Sequence, residues 1–272
     1  MASDAFQKDI LKDKVALISG GTRGINLGIA RGLMEQGAKV VVFGRNEERA
    51  RQAEAELRAI GSGQAMGVSC DVRDYEAVSR VVEKTADAFG ALDIVVAGAA
   101  GNFFAPVVGL SPNAFRTVID IDLMGTFNLF RASFDKLTKP GASLIAISAG
   151  QAENARAFQA HACAAKAGVN MLTQTLAIEW GPAGVRSNII APGAIADTEG
   201  VKFLASDPAA FKENIKRIPQ RRLGGVDEIA DMAIYLSSDA ARYVNGQIIY
   251  VDGGLSAGDG REDALTVPER RK

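Results

Sequence analysis

Short apolar runs alternate with stretches of helical periodicity along almost the whole chain. The run KVALIS at 14–19 gives way to a Gly-rich turn and then to INLGIARGLMEQG, which reads as an amphipathic helix stopped by Gly37. AKVVVF, the polar helix NEERARQAEAELRAI, QAMGVSC, the helix DYEAVSRVVEKTADAFG and LDIVVAG follow in turn. The second half continues with the helical stretch PNAFRTVIDIDLMGTFNLFRASFDKL, the strand ASLIAIS, a helix around Lys166 and the strand VRSNIIAPG. An irregular insertion at 194–222 precedes the helix VDEIADMAIYLSS and the strand GQIIYVDGG. Strands that are apolar on both faces and separated by helices predict a parallel sheet covered on both sides through right-handed crossovers. The expectation is a doubly wound α/β fold. Neither a repeat nor a linker interrupts it, so residues 1–272 read as a single domain with its core at about 12–255. The tail from 256 onward reads as frayed or used in subunit contacts.

The 272 residues suffice for one such domain with a full core. A hydrophobic share of 47% and a formal net charge of −1 argue against a disordered chain or a nucleic-acid binder. No apolar run approaches the roughly 18–20 residues that span a bilayer, so a membrane partner is not expected. The start, MASDAFQKDILKDK, is charged and lacks the apolar stretch of a secretory signal. The end, PERRK, lacks a peroxisomal address of the Ser-Lys-Leu type. Only Cys70 and Cys163 are present, which makes no disulfide framework and points to a reducing, cytoplasmic setting.

The first strand runs into SGGTRGINLG. Gly20, Gly21 and Gly24 allow a tight turn and let backbone N–H groups approach a pyrophosphate at a helix N-terminus. The second strand ends in VVVFGRN, where an acid would bind the ribose hydroxyl of NAD. Arg45 stands there instead and suits a 2′-phosphate, with Arg23 in the glycine loop as a second positive charge. Each arginine alone is also compatible with a solvated surface. Together they point to NADP(H). Asp71, in SCDVRD, is placed to cap the next helix, to hydrogen-bond the adenine amino group, or to do both.

These motifs, with AGAAGN after the fourth strand, Lys166 in its helix, APG at 191–193 and VDGG at 251–254, resemble the short-chain dehydrogenase/reductase family over about residues 12–255. The resemblance implies a Rossmann-type sheet of strand order 3-2-1-4-5-6-7 and, commonly, a homotetramer. It implies cofactor contacts from Gly20, Thr22, Arg23, Gly24 and Ile25 in the first turn, and from Arg45, Asp71, Val72 and Gly98 at later strand ends. Lys166 would hold the nicotinamide ribose, and Pro192, Gly193, Ile195 and Thr198 would line the nicotinamide pocket. It also implies an Asn, Ser, Tyr and Lys site, and here the chain departs. Four residues before Lys166, the tyrosine position holds Ala162. The serine position holds Ala149, with Ser148 one step early, and the asparagine position holds Asp122. The third loop glycine is replaced by Asn26, whose side chain takes space near the pyrophosphate. The four tyrosines, at 75, 235, 243 and 250, all lie elsewhere. Reducing an ordinary ketone charges its oxygen and needs a poised proton donor against that oxygen. Alanine cannot serve, so ordinary carbonyl reduction is disfavoured.

A narrower resemblance accounts for the departure. GAAGNFFAPVVGLSPNAFRTVIDIDLMGTFN, RAFQAHACAAKAGV, AIEWGPAGVRSN and APGAIADTEG look like the 2,4-dienoyl-CoA reductases, especially the peroxisomal type. Those enzymes also lack the tyrosine and carry aspartate for asparagine. The resemblance implies hydride transfer to the far carbon of a conjugated dienoyl thioester, giving a 3-enoyl-CoA. A water held by Asp122 and Lys166 would deliver the proton to the α carbon. An opposite-charge pair in a half-buried site would keep both groups ionised. Asp122 also admits a plainer reading as a solvated helix residue or a simple salt bridge. By the same resemblance Arg73, Phe103, Ser111 and Asn113 would meet the acyl-CoA. Their plain readings are a surface charge for Arg73, loop packing for Phe103, and an N-cap at Ser111 with proline next. Lys202 would lie near the CoA phosphates. His161, the only histidine, flanks the tyrosine position and reads as a satisfied helix residue, as a catalytic acid, or as a group facing substrate. No metal partners stand at ligand spacing around it. Two other readings stay open: a reductase of another conjugated or acyl-CoA-like substrate, and a catalytically silent NADP-binding sensor or subunit.

Overall fold

The computed structural model describes residues 6–61, 63–198 and 208–261. The apolar runs become seven parallel strands: β1 (Val15–Ser19), β2 (Lys39–Gly44), β3 (Ala65–Ser69), β4 (Ile94–Ala97), β5 (Ser143–Ile147), β6 (Arg186–Pro192) and β7 (Ile248–Val251). Their order is β3-β2-β1-β4-β5-β6-β7, all parallel. β1, β4 and β5 are buried at every position because helices cover both faces. On one face Ile18, Val40, Val42 and Val96 pack with Ile29 and Leu33 of α1 (Gly24–Glu35) and with Ile229 and Ile234 near the end of the chain. On the other, Leu17, Val41, Val95 and Leu144 pack with Val78 and Val82 of α3 (Tyr75–Phe89), which follows α2 (Glu47–Arg58). The chain order reverses between β1 and β4, so the strand ends leave a crevice there, the usual ligand position in such sheets.

Side chains cap the helices away from this crevice. Asn46 accepts from the backbone N–H of Arg49 at the start of α2, and Asp74 from that of Ala77 at the start of α3. Ser111 accepts from Ala114 at the start of α4 (Pro112–Ile119), with Pro112 at the first helical position. α1 differs: no side chain caps it and its first turn holds no acid. Its N–H groups are thus presented to the crevice.

The helical stretch from 112 is not uniform. α4 passes through a π-helical turn at Asp120–Met124 into α5 (Gly125–Ser133). The wider turn re-aims one residue of the helix, a feature frequent at functional sites. Here that residue is Asp122, which points inward and is 1% exposed. α6 (Ala160–Glu179) packs alongside, and Gly168 permits the approach, since a Cβ there would lie 2.8 Å from Leu123.

Two expectations are corrected. The stretch 194–222 is not wholly irregular: α7 (Pro208–Arg217) lies within it, and Ile195 pairs with Gly224 just beyond it. The start of the tail is not frayed, because Gly260 donates to the Arg217 carbonyl (2.9 Å) and Asp259 pairs with Arg217 (3.4 Å). α8 (Val226–Ser237) then packs on α1. Lys202 and the residues after 261 lie outside the described residues.

Candidate active site

The turn after β1 and the chain leaving β4 are stitched together. Gly20 has φ +66°, and a Cβ on it would meet the Ala99 backbone at 2.8 Å, so only glycine fits both constraints. Ser19 Oγ accepts from the N–H groups of Gly98 (3.1 Å) and Ala99 (3.3 Å). Asn26, in place of the third loop glycine, donates to the Gly98 carbonyl (2.7 Å) and to that of Gly20 (3.4 Å). A Cβ on Gly98 would fall 2.3 Å from the Asn26 amide, so the two positions are interdependent. Asn26 is therefore a tie between two loops as well as a space-filling group.

Thr22, Arg23, Gly24 and Ile25 form the mouth of this turn, with Arg23 and Gly24 exposed. Arg45 is exposed at the end of β2, and Thr22 lies against neighbouring Gly44. Asp71 is not the cap of α3; Asp74 is, three residues on. Asp71 instead receives Arg73, whose Nη2 lies 2.6 Å from Oδ2 and whose backbone N–H lies 3.0 Å from Oδ1. That bond to Arg73 holds the Asp71 carboxyl below its ordinary range, with Arg45 adding a smaller pull in the same direction. Arg73, expected at the substrate, is thus tied to Asp71, a residue expected on the cofactor side. Val72 is fixed from the other side, its carbonyl accepting from Asn128 Nδ2 (2.8 Å).

Deeper in the crevice, Lys166 Nζ lies 3.4 Å from Asp122 Oδ2. The other carboxylate oxygen accepts from the Gly101 N–H (2.7 Å), and Lys166 also donates to the Ile147 carbonyl (2.9 Å). The Asp122 carbonyl is taken by the Thr126 hydroxyl at 2.6 Å. Lys166 is 7% exposed, so the pair is buried, more so than the half-buried site expected. Ala162 is buried beside it on α6. Two of the four tyrosines are placed elsewhere: Tyr243 is fully exposed, and the Tyr250 hydroxyl donates to Glu153. Burial, followed by that contact, pushes Tyr250 up to about 12, away from any acid role. Ser148 Oγ is buried with no hydrogen-bond partner.

A cleft of about 780 Å³ opens beside this centre, between the loops after β4, β5 and β6 and helix α7. Pro192, Gly193, Ile195 and Thr198 line it, as do Asn102, Phe104 and Gln159. Gly193 is required where the loop passes Asp252, whose Cα would lie 2.6 Å from an added Cβ. Gln151 and Phe211 also line the cleft, and no motif marked them in the sequence; Arg156, which opens RAFQAHACAAKAGV, lines it too. Ser111 caps α4, and Asn113 sits exposed in its first turn. Phe103 stacks on His161 with ring centroids 4.2 Å apart. His161 is not a satisfied helix residue: it is 0% exposed and neither ring nitrogen has a partner.

This sheet, glycine turn and buried lysine define the class. Residues 20–256 match the family model described as enoyl-(acyl carrier protein) reductase, and the chain belongs to that family, within the short-chain dehydrogenases/reductases. It is an oxidoreductase of this family, whose fold binds nicotinamide cofactors. More narrowly, it is 42% identical over 255 residues to a peroxisomal 2,4-dienoyl-CoA reductase of Saccharomyces cerevisiae, named as (3E)-enoyl-CoA-producing, covering 92% of this chain and 87% of that one. It is 39% identical over 249 residues to a probable 2,4-dienoyl-CoA reductase of Bacillus subtilis, named as (2E)-enoyl-CoA-producing, covering 90% and 97%. Among solved structures, a gluconate 5-dehydrogenase of Burkholderia cenocepacia in complex with NADP and tartrate superposes with TM-score 0.85 at 35% identity, covering 92% and 98%.

Proposed function

We propose that the chain reduces conjugated acyl-CoA thioesters with NADPH, converting a 2,4-dienoyl-CoA to a 3-enoyl-CoA. The observation that carries this reading is the buried Asp122–Lys166 pair in a site with alanine at the usual tyrosine position. The residues fit a dinucleotide: the Gly20 turn leaves no room for a side chain, the N-terminus of α1 has no capping side chain or acid, and Arg45 stands where a 2′-phosphate would fall. Bound there, NADPH supplies a hydride.

The chain's own groups do the rest. Lys166, anchored by the Ile147 carbonyl, and Asp122, anchored by the Gly101 N–H, present an ammonium and a carboxylate to one point. A water held against both groups donates its proton to the α carbon; the hydroxide left takes a proton from the Lys166 ammonium, which is restored from solvent. Protonation at carbon through water requires no phenol, which is why Ala162 is compatible with the chemistry. Alanine there equally disfavours reduction of a simple ketone, whose oxygen would lack its donor. Exposed Met171 and Ile178 on α6, with Met124 and Phe127 before and in α5, support assembly of copies into the homotetramer common in the family.

The test is NADPH oxidation with 2,4-hexadienoyl-CoA, followed by product NMR. Turnover to the 3-enoyl thioester is expected. A 2-enoyl product, as in the Bacillus relative's name, would mean protonation at the γ carbon and a different placement of the water. NADPH binding without turnover of any unsaturated thioester would favour a silent nucleotide-binding protein.

A further inference from the structure

His161 has no role in the chemistry so far, yet its burial is costly. A buried polar group without a partner loses about 1–3 kcal/mol relative to a satisfied one, and an apolar ring would fill the same space without that loss. The imidazole is 0% exposed and both nitrogens lack partners, so its hydrogen-bonding capacity is held for something that arrives.

Its position says what. Phe103 covers the ring at 4.2 Å with 21° between the planes, and Phe103 is itself 38% exposed. The residues on either side of Phe103, Asn102 and Phe104, line the cleft, as does Gln159 just before α6. His161 therefore lies one ring behind the cleft wall. It is also at the N-terminal end of the helix that carries Lys166, about 7.5 Å away along the axis. Five helical positions separate the two, so they leave α6 on different sides, Lys166 toward Asp122 and the Ile147 carbonyl and His161 toward Phe103. The imidazole thus stands behind the Phe103 ring with both nitrogens unengaged, while Lys166 is taken up by Asp122.

A conjugated thioester reduced at its far carbon becomes a dienolate, with negative charge on the thioester oxygen before a proton reaches carbon. Asp122 and Lys166 serve the carbon, and Ala162 offers the oxygen nothing. We infer that His161 donates a hydrogen bond to the thioester carbonyl oxygen of the bound acyl group, reached when the Phe103 ring tilts aside. The imidazole keeps its proton and stabilises charge without transferring it. This rests on the acyl-CoA reading above.

Because the chain has one histidine, the full-length protein labelled with 15N-histidine shows the two ring nitrogens of one imidazole and no others. Saturating hexanoyl-CoA, without cofactor, should move the imidazole N–H downfield. Hexyl-CoA, the thioether lacking the carbonyl, should bind and leave it in place. An equal shift with both ligands, or none with either while both bind, overturns the inference. If neither ligand binds, the acyl-CoA reading fails and the inference with it. In turnover, His161→Phe should lower kcat by roughly 100- to 1,000-fold while NADPH affinity stays unchanged. His161→Asn, which retains an N–H donor, should recover part of that loss. Equal rates for His161→Phe and the unmodified enzyme would also overturn the inference.

Discussion

Replacing Asp122 by asparagine removes one charge while keeping the oxygen that accepts from Gly101. Its partner, the Lys166 ammonium at 3.4 Å, is then left in a buried site with the Ile147 carbonyl. At an effective dielectric near 20, two unit charges at that distance attract by about 5 kcal/mol, and desolvation offsets much of this. What survives is clearest when one partner goes: breaking a buried pair costs about 3–5 kcal/mol because the remaining charge is uncompensated. Asp122→Asn and Lys166→Met should each lose that much stability. Asp122→Asn with Lys166→Met leaves no buried charge and should lose less than the sum, by about 2–3 kcal/mol of coupling. Urea unfolding reports this through Trp180, the only tryptophan, which packs 4.6 Å from the Phe134 ring. Turnover of 2,4-hexadienoyl-CoA should behave differently, falling about 100- to 10,000-fold in all three variants, with no recovery in the double one. Additive losses of stability would show that the two groups do not act on each other. Wild-type turnover in Asp122→Asn would refute the water-holding role outright.

At the cofactor end, Arg45→Glu should weaken NADPH binding about 10- to 100-fold, as loss of a hydrogen bond to a charged group does, and leave NADH nearly unchanged; calorimetry with both nucleotides checks this, and equal losses would remove Arg45 from the 2′-phosphate. In the loop tie, Gly98→Ala places a methyl 2.3 Å from the Asn26 amide and should cost about 1–3 kcal/mol, read as a fall in Tm that Asn26→Gly relieves in the double variant. Glu228 is held at about 2 by its two bonds from Arg222 and by the Gly225 N–H. Its folded pKa is depressed, so its contribution is present above the unfolded value of about 4.3 and is lost as pH falls toward 2. Denaturation across that window should show a flatter decline in Glu228→Gln than in the unmodified protein.

The sheet was legible because burial on both faces leaves a plain mark: VALIS, VVVF and SLIAI have no polar alternation. Helix α7 was not, because PAAFKENIKR is short, half polar and lies in a stretch broken by Pro208 and Pro219, where periodicity is weak. The π turn at Asp120–Met124 left no trace either. Apolar positions such as Val118, Leu129 and Phe130 fall on buried faces before and after it, and one extra residue within a turn shows only when packing is seen. The capping role expected of Asp71 falls to Asp74, because both acids stand within capping reach of α3. The spacing to the Ala77 N–H, three residues on, favours Asp74.

The changes at 122 and 162 belong together on physical grounds. A lysine buried beside Ala162 would be an unpaired charge, an arrangement that destabilises a fold or lowers the lysine's pKa. A carboxylate on the facing π turn removes that cost, whereas an uncharged asparagine would meet it only in part. On the reading proposed above, the same carboxylate lets the pair hold and recharge a water, moving the proton source from a phenol to solvent. Delivery then suits carbon more than oxygen, and the oxygen is left without the donor that a tyrosine would have offered. A buried imidazole with two unengaged nitrogens, one ring behind the cleft wall, answers that deficit. The three positions therefore stand as a single electrostatic arrangement: one counter-charge, one missing phenol and one compensating donor, each of which makes little sense without the other two.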